Sequence, residues 1–208
     1  MSARDPSPPS APLRAPPGVL LRHLWPDGAD ERVFAILDGA RDPRIHPAVT
    51  RSGLAYHCLY SGTLEPVLAR AAPYLVQLDR EAPLTRELLT CWGDSWGIYL
   101  RTVASLSELH RHFRRFLRVK DENGKNLVFR YYDPRVLRPY LPTCTEAELD
   151  YVFGPVQRFL VEAEGGAAAV AYHREGGHLV TDNLSVIRRE SFIESYLRRE
   201  GMLGGNEK

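Results

Sequence analysis

Very little in this sequence points to a disulfide or metal framework. Cysteine is scarce: Cys58, Cys91 and Cys144 are odd in number, and no Cys-x-x-Cys occurs. That argues against a disulfide scaffold and suits buried thiols in a reducing compartment. Histidine is present but not at ligand spacing. His110 and His112 are two apart, so on a helix they point to different faces, and His173 and His178 flank a turn. No metal and no cofactor is expected. Net charge is also nearly absent, since 27 Lys+Arg against 26 Asp+Glu leave a formal +1. No global field therefore argues for nucleic acid or an anionic membrane. No apolar run approaches the roughly 20 residues that a membrane span requires, and the first residues, Met1 to Pro9, show no apolar stretch of the secretory kind.

What is present is the composition of a globular domain, with 44% hydrophobic and 25% charged residues over 208 positions, long enough for one domain with a small extension. Residues 1–18 are rich in proline and read as a disordered or extended tail. Val33–Leu37 reads as a buried strand ending at Asp38-Gly39, where glycine at positive φ would make a tight turn. Leu54–Tyr60 is a second strand. Thr63 is a candidate cap for a short helix with Pro66 in its first turn. Tyr74–Leu78, a helical stretch from Leu84 to Cys91, and a strand at Ile98–Val103 follow. Ser105-Leu-Ser-Glu108 matches a capping box. The helix it opens buries Leu106, Leu109, Phe113, Phe116 and Leu117 on one face.

Leu127–Tyr132 then reads as a strand that turns directly into a helix, with Asp133 as N-cap and Pro134 at the first helical position. Thr145-Glu-Ala-Glu148 is a second capping box, and its helix stops at Gly154-Pro155. The final third is different: Val156–Glu162, Ala167–His173 and His178–Thr181 read as strands, the last two as a hairpin. An amphipathic helix from Leu184 to Glu200 closes the chain. Strands alternating with helices predict an α/β fold of mixed α+β type, a mixed sheet flanked by helices. The organisation predicted is a tail at 1–18, a domain at 19–163, and a hairpin-and-helix extension at 164–208.

Three patterns bear on chemistry. Gly93-Asp-Ser-Trp-Gly97 has the spacing of a hydrolase nucleophile elbow, and Asp133 followed by His173 or His178 gives the hydrolase order. An elbow needs a strand before Ser95 and a helix after it. Here a helical pattern precedes and a strand follows, so a glycine-rich loop over Trp92 and Trp96 is the cheaper reading. The second pattern is Arg111, Arg114, Arg115 and Arg118, which leave the buried face of their helix and form a basic one. A solvated face, a site for an acidic protein partner, and a nucleic-acid or membrane surface all fit this pattern. The third is Arg130 inside an apolar run beside Asp133; a recognition site and a structural ion pair both fit it, and the structural pair is the commoner arrangement.

The motifs, taken in order, resemble a known family. Phe34–Pro43, Leu75–Leu78, Trp92–Ile98, the basic helix over Leu106–Val119, Phe129-Arg-Tyr-Tyr-Asp-Pro-Arg-Val-Leu137 and Phe153-Gly-Pro-Val156 together resemble the adaptor chaperones of bacterial type VI secretion. That resemblance spans residues 32–160. It implies a cytoplasmic, non-catalytic protein that binds a type VI effector and the valine–glycine-repeat spike protein (VgrG), with no catalytic residue, no nucleic acid and no membrane partner. The alternative is an esterase-like hydrolase using Ser95. Arg111, Arg114, Arg115 and Arg118 are the expected partner-binding residues, and Asp38, Gly39, Arg130, Asp133, Pro134, Gly154 and Pro155 the expected structural ones.

Overall fold

The computed structural model describes residues 17–120 and 122–185. In chain order the elements are α1 (Pro17–Leu24), β1 (Arg32–Asp38), α2 (Ile45–Arg51), β2 (Tyr56–Cys58), α3 (Pro66–Ala71), β3 (Pro73–Gln77), α4 (Pro83–Thr90), β4 (Gly97–Thr102), α5 (Leu106–Arg114), β5 (Arg118–Lys120), β6 (Asn126–Val128), α6 (Pro134–Tyr140), α7 (Glu146–Phe153), β7 (Arg158–Glu162), β8 (Ala168–Glu175) and β9 (His178–Ser185). Seven strands form one sheet in the order β2-β3-β1-β4-β7-β8-β9, and β5-β6 stand apart as a small hairpin. The class is the mixed α/β one expected, and all ladders of the large sheet are antiparallel.

The central strand β1 is an unbroken apolar run because helices cover both faces of the sheet. Side chains alternate across a strand. Val33, Ala35 and Leu37 face a core shared with Leu20 and Leu24 of α1, Val49 of α2 and Leu88 of α4. Phe34 and Ile36 face a second core with Leu109 and Phe113 of α5, Leu137 of α6 and Phe153 of α7. The register keeps the two sets apart, with Ile36 opposite Leu75 on one side and Ile98 on the other.

Both capping boxes form. Ser105 and Thr145 accept from the backbones of Glu108 and Glu148, whose carboxylates reach back to the cap amides. Asp133 caps α6 by accepting from the Arg135 backbone, with Pro134 at the start of the helix. Several local expectations are corrected. No motif predicts a helix at 45–51, yet α2 is there. Thr63 does not cap α3, which starts after Glu65 with Pro66 first, the position proline favours. The basic helix ends at Arg114, and Arg118 lies in β5 opposite Val128. The strand expected over 127–132 is only β6. The Asp133 amide bonds back to the Arg130 carbonyl and turns the chain there, and this turn buries Tyr131 and Tyr132.

Gly39 does not have positive φ. It is there because a Cβ would sit 2.5 Å from the Arg70 carbonyl oxygen and 2.6 Å from that of Ala72, as the Gly39 amide donates to Ala72 at 3.1 Å. At the chain ends, helix α1 already begins at Pro17, and residues 1–16 of the expected tail lie outside the described residues. Of the expected terminal helix, Leu184 and Ser185 belong to β9, and the remainder lies outside the described residues.

Candidate functional site

A groove of about 740 Å³ runs between α3, the loop after β2, α5 and the β5-β6 hairpin. Its floor is apolar, made by Leu59, Leu64, Leu68, Leu117 and Val128, and all four arginines singled out in the sequence line it: Arg111, Arg114, Arg115 and Arg118. The geometry follows from α5. Leu109, His112 and Phe113 point into the core, which leaves Arg111 and Arg114 on the outer face. The chain then turns, buries Phe116 and Leu117, and enters β5, whose Arg118 lies opposite Val128. The opposite wall comes from α3, a helix with no buried residue, on which Leu68 is 47% exposed. Val128 is 54% exposed.

Two of the arginines are held in place. Arg114 donates to the Ser61 hydroxyl across the groove. Arg115 bonds to His112 Nδ1 at 2.9 Å and lies over the Tyr151 ring at 5.4 Å. His112 Nε2 is 2.9 Å from the Val152 carbonyl oxygen, which fixes the neutral tautomer with its proton on Nε2. Burial holds the His112 pKa below its ordinary value, against the opposing pull of that carbonyl, and the Arg115 charge lowers it further. Gly154 belongs to the same assembly. It ends α7 at positive φ, and a Cβ on it would run into the His112 ring. Pro155 sits next to it, its carbonyl accepting from the Thr102 hydroxyl at 2.6 Å.

A second cluster joins the other motif residues. Asp38 ends β1 at 1% exposure and accepts from Arg130, 92 positions away. Asp133 lies 3.9 Å from Arg130, but its closer partner is Arg135 at 2.6 Å. Burial pushes the Asp133 carboxyl up, and the hydrogen bonds and charge of Arg135 outweigh it, so its pKa ends below the ordinary value. The Asp38 bond raises the Arg130 guanidinium. The structure thus brings Asp38, Gly39, Arg130, Asp133 and Pro134 to one place at the end of β1. The expected Arg130–Asp133 pair is the longer contact, because β1 supplies a nearer carboxylate.

Ser95 sits between α4 and β4, with α4 before it and the strand after it, and has φ 57°. Its amide donates to Glu162 Oε2 at 2.8 Å. His173 pairs with Arg158, Glu175 and Asp182, and His178 with Glu146. Asp133 is engaged by arginines, so the three candidate triad members point to different partners. Among the described residues no group of three or more His, Cys, Asp or Glu is placed to hold a metal ion.

The groove's basic side was legible in the sequence; its other wall was not. Leu64 and Leu68 stand in no motif, and the one local signal is a short helix opened by Pro66 that carries Leu68 on a surface with no buried residue. An antiparallel α/β protein with an apolar groove edged by arginines is the class defined by fold and site. Residues 33–151 match the family described as a domain of unknown function, DUF4123, and the chain belongs to that family. No curated protein matches the chain, and no solved structure matches it. Among the described residues no helix is long and apolar enough to cross a membrane.

Proposed function

We propose that this protein is a non-catalytic adaptor that binds a type VI secretion effector in the cytoplasm and helps to load it onto the VgrG spike. The observation that carries this reading is the groove, an open apolar floor bordered by four guanidinium groups on the surface of a family member. Exposed apolar area on a soluble fold marks an interaction site more often than a defect, and arginine is enriched at protein interfaces. The motif resemblance to type VI effector adaptors points the same way. Co-expression with the effector and spike encoded beside it, followed by size-exclusion chromatography, tests the reading. The expected result is a complex that contains the effector; if effector and adaptor elute separately at micromolar concentration, the reading fails.

Ser95 supports a second reading through its positive φ, a feature shared with nucleophile elbows. Purified protein assayed on short-chain esters separates the two. No turnover above that of Ser95→Ala is expected, and turnover that disappears in the variant would make the protein a hydrolase.

A further inference from the structure

We infer that the groove between α3, α5 and the β5-β6 hairpin takes an acidic segment of the partner protein that carries apolar side chains on one face. The inference rests on the adaptor reading above and adds the chemistry of the bound segment. Its first support is unmatched charge. Four surface arginines elsewhere, Arg44, Arg130, Arg135 and Arg158, pair with a carboxylate, while Arg32, Arg41, Arg51 and Arg86 bond to backbone carbonyls. Among the described residues the groove arginines have neither a carboxylate nor a backbone carbonyl of that kind across the groove: no acidic side chain lines it, and no carboxylate forms an ion pair with Arg111, Arg114, Arg115 or Arg118. Guanidinium groups match carboxylates in planar, two-bond geometry, so carboxylates are the complement this rim lacks.

The second support is the floor. Leu68 and Val128 remain 47% and 54% exposed at its two edges. Covering them requires apolar side chains over a wider area than a small anion spans. The third is preorganisation. Arg114 is tied to Ser61, and Arg115 to His112 and Tyr151, so part of the ordering cost of binding is already met in the free protein.

Other polyanions fit less well. A net charge of +1 lacks the extended basic field that a phosphate backbone exploits, and a concave floor cannot insert apolar side chains into a bilayer. An acidic, apolar-faced segment satisfies rim and floor together, in the manner of a peptide laid into a groove.

The full-length chain and two variants, Arg111→Glu/Arg118→Glu and Leu68→Asp, are titrated against the neighbouring effector and against overlapping peptides covering its sequence. All the altered side chains are partly or fully exposed, and unchanged melting temperatures verify folding. Both variants are expected to weaken effector binding at least tenfold. The peptides that bind should combine apolar residues with two or more carboxylates, lose affinity as salt rises, and recover affinity for the Arg→Glu variant when their carboxylates become lysines. Full-strength effector binding by both variants overturns the groove inference and leaves the adaptor reading standing. Failure of the unaltered chain to bind the effector overturns both. Arginine-dependent binding of a 20-nucleotide thymidine strand or phosphatidylserine vesicles, without any effector peptide, also overturns it.

Discussion

At the residue scale, Asp38 and Glu162 are buried carboxylates with opposite consequences. Asp38 is held by Arg130 and by the Ala40 amide at 3.1 Å. Its arginine partner is 42% exposed and can return to water, whereas Asp38 is 1% exposed and cannot. Removing one member of a pair costs most where the survivor stays buried. We therefore expect Arg130→Ala to cost about 3 kcal/mol and Asp38→Ala about 2 kcal/mol, measured by urea denaturation. Equal losses would mean that the cluster does not respond to which charge is stranded.

Glu162 is 2% exposed, and burial pushes its carboxyl up to about 7, against the pull of the Gly93 and Ser95 amides. Its ordinary value is 4.5. The folded state then holds a proton that the unfolded chain has released, so the stability this group contributes is fully present below about 4.5 and is lost as pH rises through about 7. Glu162→Gln should flatten this part of the stability–pH curve, an effect of at most about 3 kcal/mol between pH 4.5 and 8. A variant curve parallel to that of the unaltered protein would show that Glu162 does not titrate in this range.

At the scale of elements, what was legible was local. A capping box lies within four residues, and both boxes form as written. Ser105→Ala should cost about 1 kcal/mol, readable as a lower melting temperature, and should loosen the helix that presents Arg111 and Arg114. The end of α5 was not legible, because a long-range pairing decides it: Arg118–Lys120 pairs with Asn126–Val128 around a turn at Gly124, whose φ is 77°. Gly39 makes the same point. The sequence suggests a turn glycine, while the structure assigns it a close approach to two backbone carbonyls. Gly39→Ala should therefore destabilise the protein by more than the fraction of a kcal/mol that an ordinary turn position would lose, as measured by thermal denaturation. A neutral result would mean that the end of β1 can move away from α3.

At the scale of the whole molecule, the hairpin β8-β9 continues the sheet built by the earlier strands. Strand β8 pairs with β7 from Arg158–His173 to Glu162–Ala169, and Ala169, Val170, Ala171 and Tyr172 are buried in the two cores. A chain truncated after Glu164 should lose cooperative unfolding and become sensitive to limited proteolysis, since both layers lose their wall at β7. A truncated chain that unfolds in one sharp transition would show that the strands through β7 suffice on their own.

The sequence by itself determined the pieces whose causes are local: the apolar strand runs, the two capping boxes, the Asp133-Pro134 helix start, the Gly154-Pro155 stop and the outward placement of Arg111, Arg114 and Arg115. These follow from side-chain period, cap chemistry and proline geometry, all of which act within a few residues. Tertiary structure alone decided which strands became neighbours, that Arg130 reaches Asp38 from 92 positions along the chain, that Gly39 faces the Arg70 and Ala72 carbonyls, and that α3 and a small hairpin complete a groove around the arginines. The physical reason is that burial and ion pairing depend on distance in space, and a single sequence does not record which residues the packing of a two-faced sheet will bring together.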